Sequence, residues 1–212
     1  RLNKNNFMRS ATLKGLVLHS ALDLEAAGPD YKTGWGLLDM EKAANVITNS
    51  GSSNLISEGT LANTATDKRS FVASGKGDLV ATLSWTDPES TVFPITTENL
   101  NNRKPKLVND LDIKITDGTG KFLPFILDPA APDKIAETGD NIRDNIEKII
   151  VKGAVPGKSY ELTISHKGTL KNDKQDFSLV VSGIGGKAYC AITPTSPLNL
   201  IKSLAVGTYS NT

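Results

Sequence analysis

The sequence predicts a mainly β protein, an antiparallel β-sandwich preceded by two helices. Three observations carry that expectation. From about Ser57 onward apolar residues recur at every second position, the period of a strand with one buried face. Turn pairs such as Asp117-Gly118 and Pro156-Gly157 divide these runs, and short strands between turn signals close naturally as a sandwich. Residues 1–50 differ, with apolar positions three and four apart, the spacing of a core-facing helix.

In chain order, Leu13, Leu16, Val17, Ala21 and Leu22 form the stripe of a first helix, with Ser10 or Thr12 placed to cap its start. Gly28-Pro29-Asp30 breaks the chain and Gly34-Trp35-Gly36 turns it tightly. Asp39 is the expected N-cap of a second short helix carrying Met40, Ala43, Ala44 and Ile47. Two helices in fifty residues cannot close a core of their own, so they must pack on the rest of the chain or on a partner surface. Strands are expected near Thr60 to Ala65, at Phe71, and over Leu79 to Trp85, Leu111 to Ile115, Phe122 to Ile126, Ile146 to Val151, Tyr160 to Ile164 and Phe177 to Val181. The stretch from Pro88 to Lys106 is long and polar, as functional or mobile loops are.

Composition narrows the chemistry. Twenty-four basic against 23 acidic residues give a net charge of +1, and no block of like charge is present to grip nucleic acid. No apolar run reaches the ~18 residues of a membrane span. One cysteine excludes an internal disulfide framework and a multi-thiolate metal site, and two histidines leave little for imidazole-bound zinc. Hard-oxygen chemistry, a binding module or a piece of a larger protein remain. The chain opens Arg1-Leu2-Asn3-Lys4, with no initiator Met or basic-then-apolar leader. Pro194-Thr195-Ser196-Pro197 reads as a linker into a further strand. The expectation is an excised fragment with units at 1–50, 51–184 and 185–212. Cys190, in that linker, is expected to await a cysteine outside the fragment.

Acidic residues supply the candidate site. Asp110 and Asp112 alternate with Leu111 and Ile113, so both point to one face of a strand. Asp87 ends the Trp85 strand, and Asp140-Asn141-Ile142-Arg143-Asp144-Asn145-Ile146-Glu147 holds five oxygen-bearing side chains in eight residues. Calcium takes roughly six to eight hard oxygen ligands, and a divalent cation removes the repulsion between neighbouring carboxylates. The candidate ligands are Asp87, Asp110, Asp112, Asp144, Asn145 and Glu147. The competing reading is a set of solvated turn residues, with Arg143 and Lys148 as counter-ions.

Two stretches resemble a known family. Ala11-Thr12-Leu13-Lys14-Gly15-Leu16-Val17-Leu18-His19-Ser20-Ala21, followed by Gly28-Pro29-Asp30-Tyr31-Lys32-Thr33-Gly34-Trp35-Gly36-Leu37-Leu38-Asp39, resembles the closing segment of the subtilisin-like serine protease domain. Leu83-Ser84-Trp85-Thr86-Asp87-Pro88, Leu107-Val108-Asn109-Asp110-Leu111-Asp112, Asn141 to Glu147 and Phe177-Ser178-Leu179 are similar to the P-domain-like jelly roll that follows the catalytic domain in some bacterial subtilases. The resemblance runs from about Ala11 to Gly183. It implies a jelly-roll sandwich preceded by the last helices of an α/β catalytic domain. It also implies a secreted bacterial serine endopeptidase as parent, peptide or protein substrates for that parent, the N-terminal catalytic portion as partner, and calcium among the acidic residues. No nucleic acid or membrane span is expected.

The family's Gly-Thr-Ser-x-Ala-x-Pro nucleophile motif has no counterpart in this sequence, and its Asp and His motifs are absent. No catalytic residue is therefore assigned, and the chain is expected to be a non-catalytic part of its parent. Ser20, His19 and Asp23 do not substitute for a triad. Helix neighbours one apart point about 100° away from each other, and nothing beside them supplies an oxyanion hole. His19 is expected at a helix surface or interface, and His166 in an exposed turn. The rival reading is a stand-alone jelly-roll module that binds carbohydrate or protein. It calls for an aromatic platform, whereas Trp85 falls in the core row and Trp35 in a glycine turn.

Overall fold

Strand-forming alternation runs through most of the chain after residue 53, and the computed structural model, which describes residues 7–100 and 102–188, folds it into ten strands. They are β1 (Asn54–Ala62), β2 (Asp67–Val72), β3 (Leu79–Trp85), β4 (Leu111–Thr116), β5 (Lys121–Phe122), β6 (Phe125–Ile126), β7 (Glu137–Thr138), β8 (Ile146–Val151), β9 (Ser159–His166) and β10 (Lys174–Ser182). Helices α1 (Ser10–Ser20) and α2 (Met40–Thr48) precede them. Cys190 and the expected linker beyond 188 lie outside the described residues.

The strands form two four-stranded antiparallel sheets, ordered β1-β10-β3-β8 and β2-β9-β4-β5, with β6 and β7 as a separate ribbon. The expected mainly β, antiparallel sandwich is what forms. Its interior is the row read from the alternation: Leu79, Ala81, Leu83 and Trp85 face Leu111, Ile113, Ile115, Leu162 and Ile164 in one buried cluster. Trp85 is fully buried, and its indole Nε1 donates to the carbonyl of Asn109 at 3.1 Å, as a buried indole must to satisfy its only polar group. Phe177 stands opposite Trp85 in the register and stacks over Gly59, where a Cβ would come within 2.5 Å of the ring.

Two element expectations need adjusting, and one strand was not expected. β1 begins at Asn54, ahead of Thr60. The run Phe122 to Ile126 divides at Leu123-Pro124 into β5 and β6, which join different sheets, because proline cannot donate to a ladder. β7 is two residues long and has no alternation to read.

The helices pack on the outer face of β1-β10-β3-β8, with Leu16 and Ala21 of the expected stripe buried but Leu13 and Leu22 left exposed. α1 turns Ala11, Thr12, Gly15, Leu16, His19 and Ser20 onto the sheet. Leu16 is 2% exposed and joins Ala43, Val46, Ile56 and Val180, while Leu13 is 57% exposed. Gly15 decides the face. A Cβ there would stand 2.4 Å from Ser84 Oγ, so only glycine lets the helix settle this close to β3.

The caps divide in the same way. Neither Ser10 nor Thr12 caps α1; the N-cap is Arg9, without a side-chain cap bond. Thr12 instead donates to Glu58 and meets the Ser178 hydroxyl at 2.7 Å. Asp39 does cap α2, accepting the Lys42 N–H at 2.8 Å. Gly36 has φ +99° and approaches Leu22 O too closely for any Cβ. That contact lets Leu22 and Leu37 pair their backbones. No helix among the described residues is long and apolar enough to cross a membrane.

Candidate functional site

The six candidate ligands divide into two groups, each organised around a lysine. Around Lys14 of α1, the ammonium donates to Asn145 Oδ1 at 2.7 Å, to Asn145 O at 2.8 Å and to Trp85 O at 3.2 Å. Burial pulls the pKa of Lys14 down, and the nearby charges of Asp144 and Asp87 pull it back up. Asp87 spends both carboxylate oxygens on backbone, accepting the N–H groups of Val108 at 2.7 Å and Asn109 at 2.9 Å. This pins the end of the long loop to the end of β3. Asp144 accepts from Asn141 Nδ2 at 3.0 Å. These residues tie α1, β3 and the segment before β8 together.

The second group gathers at Lys167, just past the end of β9. Its ammonium reaches Asp112 Oδ1 at 2.6 Å, Asp140 Oδ1 at 2.5 Å and Asp110 Oδ2 at 3.2 Å. Burial works against the charge of Lys167, but the bonds from Asp112 and Asp140 outweigh it and hold its pKa above the ordinary lysine range. Asp110 and Asp112 are both shifted upward, by burial first, with Lys167 opposing.

Glu147 completes this group from the facing sheet. β5 pairs with β4 only at Ile115 and Thr116, and Glu147 of β8 accepts the Ile113 N–H at 2.7 Å. Its other oxygen, Oε1, is buried without a partner, as is Asp110 Oδ1. Glu147 is 1% exposed, and burial pushes its pKa up to about 9, with the Ile113 bond opposing and Asp112 adding to the rise. At neutral pH it is a protonated carboxyl.

Calcium needs hard oxygen donors converging on one point. Asp110, Asp112 and Asp140 provide that convergence, and the point is held by the Lys167 ammonium. Among the described residues, no group of three or more His, Cys, Asp or Glu side chains is arranged to hold a metal ion as it stands. Sequence reasoning missed Asp140 and Lys167 as the organisers of this group. Asp140 sat in the acidic run, but only the register of β4 against β9 brings Lys167 beside Asp110.

His19 belongs to the helix–sheet interface. Its Nδ1 lies 2.9 Å from Thr82 Oγ1 and its Nε2 2.7 Å from Ser182 Oγ, with the residue 2% exposed. One imidazole nitrogen donates and the other accepts when the ring is neutral, and a hydroxyl can answer either. Burial, with Lys148 and Lys42 adding to it, lowers the pKa of His19 to about 3. Ser20 Oγ donates to Leu16 O at 2.9 Å. Lys148, its pKa lowered to about 8 by burial first, donates to Leu18 O at 2.9 Å and lies 5.6 Å from the Trp35 ring centre. His166 is half-buried: its Nε2 accepts the Thr64 N–H at 3.1 Å, and it stands opposite Leu111 in the inward row.

Neither the family models nor the curated proteins contain a match to this chain.

Proposed function

We propose that this chain is the non-catalytic C-terminal part of a secreted subtilisin-like serine endopeptidase, in which a jelly-roll sandwich braces the end of the catalytic domain. The observation that carries the reading is the two-sided character of the helical segment. Its inner side is fastened to the sandwich by buried polar contacts: Thr12 to Ser178, Ser84 Oγ to Ala11 O at 2.8 Å, and His19 to Thr82 and Ser182. Its outer side leaves Leu13, Leu22, Leu24, Leu37, Leu38 and Met40 all more than half exposed. Clustered apolar side chains on a surface mark an interface, and the remainder of a catalytic domain is the partner this reading assigns to them.

The strand orders support the jelly-roll part. Successive strands β1 to β4 alternate between the two sheets, and β8, β9 and β10 return to interleave with them, the pattern of paired Greek keys. The parent's reaction is peptide hydrolysis through a serine acyl-enzyme. This chain contributes rigidity and a docking face to it, and no group to the chemistry.

The coding sequence ahead of Arg1 tests the reading. A Gly-Thr-Ser-x-Ala-x-Pro block in frame is the expected result. An initiator Met at the boundary, or an open frame lacking that serine, would contradict it. Leu13→Asp should then abolish co-purification of this chain with the separately expressed catalytic portion while leaving the chain's own melting temperature within a degree or two.

A further inference from the structure

We propose that the Arg103–Lys104 peptide bond is a processing site for an endopeptidase of trypsin-type specificity, and that cleavage there yields a two-chain protein that stays assembled. The inference stands apart from the protease reading and holds or fails without it.

The bond lies in the long connection between β3 and β4, from Thr86 to Asp110. Exposed connections of this kind are where proteases nick folded chains. Residues 103–107 lie in no helix, strand or backbone turn, and Arg103, Lys104 and Pro105 are exposed in succession. The polar groups of the bond itself are held by side chains. The Arg103 carbonyl accepts from the Arg143 guanidinium, and the Lys104 N–H donates to Asn102 Oδ1 at 3.0 Å. A protease cleft can replace both partners without opening a strand ladder.

Three basic residues stand in this segment, Arg103, Lys104 and Lys106, and the chemistry selects one. A protease with an acidic specificity pocket cuts after arginine or lysine. Lys104 is followed by Pro105, whose ring fixes φ and removes the N–H of the bond to be cut. Lys106 is half-buried, its ammonium donating to Thr91 O and standing 3.1 Å from the Phe93 ring centre. Arg103 has neither restraint. Basic residues in other loops are held in turns. Asp30 Oδ1 accepts the N–H groups of Lys32 and Thr33 at 2.7 and 2.6 Å, Lys76 N–H donates to Ser74 Oγ at 3.2 Å, and Lys134 N–H closes on Ala131 O at 3.0 Å.

In the reaction water adds across the bond. Its oxygen joins the Arg103 carbonyl carbon, the C–N bond breaks, and Lys104 departs with a free amino group. Topology then keeps the pieces together. The first piece holds α1, α2, β1, β2 and β3, and the second holds β4 to β10. The order β1-β10-β3-β8 alternates between the pieces at every step, and β2 pairs with β9 across them. Asp87, Trp85 and Lys14 of the first piece bond to Asn109 and Asn145 of the second. Both pieces fill one buried core, so they can part only by unfolding both sheets.

The test is limited digestion of the 212-residue chain with trypsin at a low enzyme ratio, on the wild type, Arg103→Gln and Arg103→Lys, read by intact mass and size exclusion. The first new N-terminus should be Lys104, and the two pieces should elute together where the uncut chain does. Arg103→Gln should slow cutting in this connection by about tenfold or more, whereas Arg103→Lys, which keeps the charge, should be cut at the same bond. The nicked protein should melt below the intact chain, with a midpoint that rises with protein concentration, because its folded state is now an assembly. The proposal is overturned if the first cut falls at another bond, if Arg103→Gln is cut in the connection as fast as the wild type, or if the pieces separate under native conditions.

Discussion

The two faces of the β1-β10-β3-β8 sheet are buried by opposite means. The inner face holds Leu79, Ala81, Leu83, Trp85, Phe177, Leu179 and Val181 against the second sheet, with Glu147, which accepts the Ile113 N–H, as a buried polar group at its edge. The outer face holds Thr82, Ser84, Ser178 and Lys148 under α1, all buried, with Ile56 and Val180 as its apolar share. The inner face gains by removing hydrocarbon from water and tolerates many side chains of similar size. The outer face depends on each donor meeting its acceptor, since a buried polar group without a partner costs more than the bond returns. A sandwich can be held together by the first kind of face alone. The second fixes one position for the helix pair on the sheet.

Mutations separate the two faces. Trp85→Ala removes the largest buried side chain and the bond to Asn109. It should cost about 3–5 kcal/mol, the range for large-to-small changes at buried aromatics, read by urea unfolding. A loss below about 1 kcal/mol would mean that the inner face is not tightly packed.

The outer face should instead show a pH signature. The folded-state pKa of His19 is lowered from 6.5 to about 3, so between those values the unfolded chain binds the proton that the folded chain refuses. The stability His19 provides is complete above about pH 6.5 and is lost as pH falls toward 3. At ~1.4 kcal/mol per pH unit, the His19 contribution should fall by about 3 kcal/mol between pH 7 and pH 4, read as the difference between the wild type and His19→Gln, because Glu147, with its raised pKa, runs the other way in both proteins. Equal slopes in the two proteins would show that His19 is not buried in solution.

Gly15→Ala places a methyl group 2.4 Å from Ser84 Oγ. It should cost about 1–3 kcal/mol as an overpacking change, against the small gain alanine brings to an unconstrained helix. Stabilisation would mean that the helix stands off the sheet. The smallest effect is expected at Leu13→Ser, within about 0.5 kcal/mol, because the side chain is more than half exposed among the described residues.

The same contrast explains how much could be read in advance. Alternation at Leu79 to Trp85, Leu111 to Ile115 and Tyr160 to Ile164 gave the inner face directly, because hydrocarbon burial imposes period two on a strand. Asp39 as a cap and the Gly34-Trp35-Gly36 turn were legible because one local bond or one positive φ explains each. The seat of α1 was not. Thr12 and His19 sit among residues that look solvent-facing by polarity, and their partners Ser178 and Ser182 lie more than 160 positions away. Leu13 misled for the complementary reason: it fits an apolar stripe, yet the close approach at Gly15 turns the helix so that it faces out. The acidic site was half legible. Asp110 and Asp112 follow from strand period, whereas their meeting with Lys167 and Asp140 depends on register and loop path, which no local pattern encodes.

The most direct test of the account is native-state hydrogen exchange across α1, β3 and β10. If buried polar contacts fasten the helix to the sandwich as one unit, the amides from Leu16 to Ser20 should open with the same free energy as those of Leu83 and Leu179, through global unfolding. Exchange of the α1 amides through a local opening far below that energy, with the strands still protected, would contradict it.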